Sequence, residues 1–151
     1  MTSVPKPVKF LRPHYGTLKS HYEKMSDSGA KKLMADILSV IALPNSAGGE
    51  RESLKYRLLG SYGDIGSWGH EYVTNLGVEA AQECLESYQT EDLIELVRQT
   101  VAFHMKHNAE HEAVMLLMEL YPVEELSIQL ESSLDSANYE RTCSYLVSSA
   151  K

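Results

Sequence analysis

The side chains best placed to do chemistry lie in Phe103-His-Met-Lys-His107-Asn-Ala-Glu110-His111-Glu112-Ala113. Within that stretch His107-x-x-Glu110-His111 has the spacing of an inverted zinc peptidase. In such a site two imidazoles one helical turn apart bind the metal, and a carboxylate between them acts as general base. The chemistry needs both histidines on one continuous helix and a third protein ligand further along the chain. The flanking residues argue against that helix. Leu93, Leu96, Val97, Val101 and His104 form one complete amphipathic stripe, and Ala109, Ala113, Leu116, Leu117 and Leu120 form a second. Asn108 stands where the second helix would take its N-cap, and Glu110 and Glu112 fall in its first turn, where the helix dipole favours acids. The spacing therefore predicts a turn over 106–108 that separates His107 from the helix of His111. His104 becomes a helix-end residue near the core. No catalytic, cofactor-binding or metal-ligating residue is assigned, and no cofactor is expected. A zinc hydrolase built on His107, Glu110 and His111 is an alternative.

Other chemistry is sparse. Gly60-x-x-Gly63-x-x-Gly66 has neither a strand before it nor a Lys-Ser/Thr after it, so it is no phosphate loop. No serine sits in a nucleophile elbow. Most carboxylates scatter along polar helix faces. Asp36, between Ala35 and Ile37 in an apolar helix, calls for a satisfied partner on a neighbouring helix, because buried acids are usually paired. Trp68, within Gly66-Ser-Trp-Gly-His-Glu71, fits either a recognition patch or the core. Nine tyrosines against two phenylalanines suit a surface with much protein contact, and equally a thin helical stack.

The elements that must position these residues are all helical. The pattern predicts helices over 15–25, 30–43, 50–59, 65–87, from Thr90 through the first stripe, 109–121, 123–131, and an eighth capped by Asp135 or Ser136. The second covers more than one apolar stripe, with Leu33, Met34, Ile37, Leu38, Val40 and Ile41, and so should be sandwiched between neighbours. The sixth carries a second stripe of Val114, Met118 and Tyr121 and should be covered twice. Gly66, Gly69 and Gly77 weaken the fourth, with a kink near Gly77 or a split into two pieces expected. Residues 1–13, with Pro5, Pro7 and Pro13 among basic residues, form an extended lead-in. Residues 14–151 then make a single all-α domain, an irregular stack of antiparallel helix pairs like a helical-repeat array without a strict period. The last helical pattern runs to the end without a stop signal, so a segment of a longer chain, or a short paralogue, is expected.

Composition narrows the class. The net charge of −7 argues against nucleic-acid binding. It is unevenly spread, since residues 1–32 hold seven Lys/Arg against two acids. Such a basic leader fits partner docking, or only a solvated face. The longest aliphatic run, 114–118, is far short of a membrane span. Cys84 and Cys143 form no framework and are expected to be free thiols in a reducing compartment.

Four blocks carry a family resemblance. They are Thr2-Ser-Val-Pro-Lys-Pro-Val-Lys-Phe-Leu-Arg-Pro-His-Tyr-Gly16, Glu50-Arg-Glu-Ser-Leu-Lys-Tyr-Arg57, Gly66-Ser-Trp-Gly-His-Glu-Tyr-Val73, and His107-Asn-Ala-Glu-His-Glu-Ala113 followed by Leu116-Leu-Met-Glu119. In that order they resemble the N-terminal region of the non-ATPase regulatory subunit 2 family of the 26S proteasome. Segments 77–89 and 123–133 match least, and no family contact is carried onto them. The resemblance implies a non-catalytic scaffold segment in the base of the regulatory particle. Its partners would be base subunits around the ATPase ring, in ubiquitin-dependent protein degradation, in cytoplasm and nucleus. It implies no nucleic acid, membrane or small-molecule substrate. The family's docking sites for shuttle proteins and a deubiquitinase belong to a toroid this chain lacks. A stand-alone helical-repeat module that binds a peptide in its groove is a further alternative.

Overall fold

The computed structural model describes residues 10–42, 51–87, 89–122, 125–126, 128–129 and 139–149. Among them lie seven α-helices and no strand, so the fold is all-α. The helices are α1 (Tyr15–Lys24), α2 (Gly29–Ile41), α3 (Glu52–Leu59), α4 (His70–Glu86), α5 (Glu91–Lys106), α6 (Glu110–Leu120) and α7 (Tyr139–Ser149). They match six of the first predicted patterns and the last. Glu125, Leu126, Ile128 and Gln129, inside the remaining pattern, are also helical. The candidate caps Asp135 and Ser136, the loop before Arg51 and residues 1–9 of the lead-in lie outside the described residues. The chain divides into two compact units, Met1–Glu79 and Ala80–Lys151.

In the first unit, Arg12–His14 forms a 3₁₀ turn, so the extended lead-in ends earlier than the prolines suggested. Pro13 suits the start of a helix because its fixed φ and missing N–H cost nothing there. The Ser28 hydroxyl accepts the Lys31 amide at 3.3 Å and starts α2. α2 packs on α1 and on α3. Ala35, Leu38 and Ile41 of α2 meet Tyr56 of α3 in a core cluster, flanked by Leu11, Tyr15, Leu18 and Tyr22. The rings of Tyr22 and Tyr56 stand edge to face, centroids 5.4 Å apart. α2 is less enclosed than its apolar residues predicted, because Leu33 keeps 60% of its surface exposed.

Two serines replace apolar packing where α2 crosses α3. Ser39 Oγ donates to the Ser53 carbonyl at 2.6 Å, and Ser53 Oγ donates to the Ser39 carbonyl at 2.7 Å. Only small side chains let two helices approach closely enough for this exchange. Tyr72 Oη lies 2.7 Å from Ser39 Oγ. The one proton of Ser39 is already given to a carbonyl, so Tyr72 must donate here. All three side chains are fully buried, and the network closes with its donors spent.

The predicted helix over 65–87 is two elements. Ile65–Trp68 is a 3₁₀ turn, Gly69 has φ 98°, and α4 begins at His70. The break falls at Gly69, where the chain needs the positive φ that glycine adopts without steric cost. Gly77 stays inside the regular helix.

In the second unit, Thr90 Oγ1 accepts the Leu93 amide at 3.4 Å and caps α5 as the sequence predicted. α5 buries Leu93, Leu96, Val97, Thr100, Val101, His104 and Met105 and packs on α6. The buried Thr100 hydroxyl is satisfied by the Leu96 carbonyl at 2.9 Å. α6 buries Ala113, Val114, Leu116 and Leu117, but Met118 of its second stripe is 48% exposed, so that stripe is covered at Val114 and not along its length. α7 packs on α6. Cys84 is buried, Cys143 is half-buried, and both are free thiols. Burial pushes the Cys84 thiol up, with Glu83 adding to the shift.

Candidate functional site

The turn between α5 and α6 decides what the histidine motif can do. α5 ends on a C-terminal motif in which the Ala109 amide donates to the His104 carbonyl at 2.8 Å and the Asn108 amide to the Met105 carbonyl at 3.4 Å. These are the six-to-one and five-to-two bonds of a Schellman end, which requires a left-handed residue just past the helix. Asn108, at φ 57°, is that residue. The expected N-cap role of Asn108 is thereby corrected. Asparagine suits both positions, and here its tolerance of left-handed backbone prevails over its capping side chain. The N-cap of α6 is Ala109, with no side-chain cap bond.

The three zinc candidates are separated accordingly. His107 is the C-cap of α5, its Nδ1 lies 2.8 Å from the Phe103 carbonyl, and its ring stacks on Phe103 at 4.1 Å. A carbonyl only accepts, so Nδ1 carries the proton. Glu110 and His111 belong to the first turn of α6, and Glu110 is buried. His107 and His111 share no helix, and the inverted-zincin geometry is absent. A different pair, His104 and Glu112, comes together across the turn. His104 Nδ1 is 3.3 Å from Glu112 Oε2, and His111 Nε2 is 3.8 Å from Glu112 Oε1. The sequence pattern passed over His104 and Glu112 because their spacing crosses a turn.

A second constellation lies in the first unit, over 60–69. Asp36 accepts the Ser61 amide at 3.1 Å and also the Ser61 hydroxyl. Its partner is thus the loop that follows α3 rather than a neighbouring helix. A Cβ at Gly60 would meet Asp36 Oδ1, so any larger residue there displaces the carboxylate. The buried Arg57 donates from Nη1 to the Gly63 carbonyl at 2.7 Å, and its guanidinium lies 5.6 Å from the Tyr62 ring. Tyr62 has φ 59°, costly for a residue with a Cβ by about 1–2 kcal/mol. Its hydroxyl donates to the Leu58 carbonyl at 3.0 Å, yet 55% of the residue remains exposed. Asp64 accepts the Gly66 amide at 3.0 Å, and Ser67 Oγ donates to the Asp64 carbonyl at 2.7 Å. Trp68 is half-buried. The loop is a fixed platform that holds an aromatic ring outward. Gly60-Ser-Tyr-Gly-Asp64 announces a break in the sequence, but nothing local reveals that Asp36 and Arg57 brace it.

Beneath α1, Glu52 is buried and accepts Tyr15 Oη at 2.6 Å and Lys19 Nζ at 3.4 Å. Burial acts to raise its pKa, but the Tyr15 hydrogen bond and the Lys19 and Lys55 charges prevail and hold it below the usual 4.5. Tyr72 is pushed up to about 12, chiefly by burial, with the Ser39 hydroxyl and Arg57 opposing. These groups brace helices and leave no open, convergent set of acid, base and nucleophile.

The RPN1 N-terminal domain profile matches residues 1–151. The chain belongs to that family. The chain is 62% identical over 155 residues to the Arabidopsis thaliana 26S proteasome non-ATPase regulatory subunit 2 homolog A, covering 100% of the chain and 17% of that relative. Against the Dictyostelium discoideum 26S proteasome non-ATPase regulatory subunit 2 the identity is 51% over 150 residues, covering 97% of the chain and 16% of the relative. Against the Schizosaccharomyces pombe 26S proteasome regulatory subunit rpn1 it is 45% over 152 residues, covering 98% of the chain and 17% of the relative. The chain therefore spans about a sixth of the length of these relatives. These relatives are named as regulatory subunits of the 26S proteasome.

Proposed function

We propose that this chain is a scaffold segment of the 26S proteasome regulatory particle, making protein–protein contacts with base subunits around the ATPase ring in ubiquitin-dependent protein degradation. It would act in both cytoplasm and nucleus. The observation that carries the reading is the match of the whole chain to proteins named as proteasome non-ATPase regulatory subunits. The braced platform over 60–69 supports a contact role. An exposed aromatic held by a cation, an anchored carboxylate and a left-handed backbone loses little entropy on docking.

Photo-crosslinking tests it. A photoreactive phenylalanine replaces Tyr62 in the tagged chain, which is then incubated with purified regulatory particles. Adducts with base subunits are expected from position 62 and not from the exposed Glu95 on α5. Equal labelling from both positions, or none, removes the platform from the contact surface.

A further inference from the structure

We infer that the end of the second unit where α4 and α6 finish is a docking site for a basic segment of a partner protein, one with an aliphatic side chain among its lysines or arginines. Cys84 of α4, Gln89 of the connecting loop, Ile94 and Val97 of α5, and Leu120 and Tyr121 at the end of α6 line one shallow notch. Cys84 and Val97 are buried, Ile94, Leu120 and Tyr121 half-buried, and Gln89 exposed, so the notch opens at the surface. It is too narrow to hold a water molecule, so an apolar group laid across its mouth displaces no bound solvent. Leu85, next to Cys84 on α4, is 60% exposed and adds apolar surface at the same helix end.

The charge around the notch has one sign. Residues 80–97 hold five acids and residues 115–126 three, with no Lys, Arg or His in either stretch. Glu86, Glu91, Asp92, Glu119 and Glu125 are exposed. A helix C-terminus carries partial negative charge and is ordinarily met by a base in its last turn. α4 and α6 have none there. α4 ends instead on Glu83 and Glu86, and α6 has Glu119 in its last turn. Acids at these two ends oppose the helix dipoles, and the cations of a docked segment relieve that repulsion. The acids of α5 differ, since Glu91 and Asp92 lie at its N-terminus, where the dipole favours them. Charge complementarity therefore selects a cationic occupant, and the notch selects an aliphatic group within it. A bare metal ion satisfies the charge and leaves the apolar notch uncovered.

The chain is titrated into a fluorescein-labelled, lysine-rich peptide with a central leucine, and anisotropy is followed at low and at physiological salt. Saturable one-to-one binding is expected, weaker at the higher salt. Serine in place of the peptide's leucine should weaken it by about threefold or more, through lost apolar contact. Glu91→Gln and Glu119→Gln should each weaken it by about threefold or more. Ala102→Lys makes the same change in net charge at an exposed position nearer the other end of α5, and should leave binding within about 1.5-fold. Glu119→Gln should also raise the melting temperature of the free chain, because an acid leaves a helix C-terminus. A titration that does not saturate overturns the site. So do equal weakening by Ala102→Lys, equal binding of the serine peptide, or a lower melting temperature in Glu119→Gln.

Discussion

The Ala109 amide donates to the His104 carbonyl at 2.8 Å, spanning the left-handed Asn108 and sealing the end of α5. That bond separates His107 from His111 and, at the same time, turns His104 toward Glu112.

Asn108 works through its backbone conformation, so Asn108→Gly should hold or raise stability. Asn108→Ala should lower it by about 1 kcal/mol, because alanine takes the left-handed region poorly. Urea denaturation of the two variants separates this from a capping role, in which glycine and alanine would both be worse than asparagine.

Gly60 and Asp36 should behave as one unit. Gly60→Ala forces the Asp36 carboxylate away from Ser61 and should cost about 1–3 kcal/mol, the range for losing hydrogen bonds to a charged group. In an Asp36→Ala background the same substitution should cost much less. Additive losses in the double-mutant cycle would show that the clash is relieved elsewhere.

Leu117 and Met118 are sequence neighbours with opposite fates, 4% and 48% exposed. Leu117→Ala should cost about 2–5 kcal/mol through lost burial and a cavity. Met118→Ala should stay within about 0.5 kcal/mol. Similar losses at both positions would mean that the exposed stripe of α6 is covered in solution.

Glu52 makes stability depend on acid. Its folded pKa lies below 4.5, so the charged form's contribution is complete above that value and is lost as pH falls through the lower folded one. Lys19→Met and Tyr15→Phe should each flatten the acid limb of a stability–pH curve. An unchanged limb in both variants would assign acid unfolding to other carboxylates.

Tyr56 and Tyr72 are both pushed up to about 12, mainly by burial, from an ordinary 10. Their neutral forms favour the folded state fully below pH 10, and that contribution disappears as pH rises through the folded values. Phenolate absorbance should show two of the nine tyrosines titrating late, together with alkaline unfolding. Nine tyrosines ionising together while the fold persists would mean that the two rings are open to water.

The sequence by itself determined the helical class, most helix positions, the Thr90 cap and the family, because each is written in local order. Apolar spacing, caps and breakers act over a few residues, and blocks such as Glu50–Arg57 and Gly66–Val73 are read in line. Tertiary structure alone decided the rest. Asn108 could have capped α6 or ended α5, and only the path of the chain across the turn selected the left-handed form. Helical periodicity marks Leu33 and Met118 as apolar but cannot say whether a neighbour covers them. Asp36 with Ser61, Arg57 with Gly63, Tyr15 with Glu52 and His104 with Glu112 join residues that no single periodicity links. The energy of such pairs comes from distance and burial in three dimensions, and neither is encoded in the spacing of residue types along the chain.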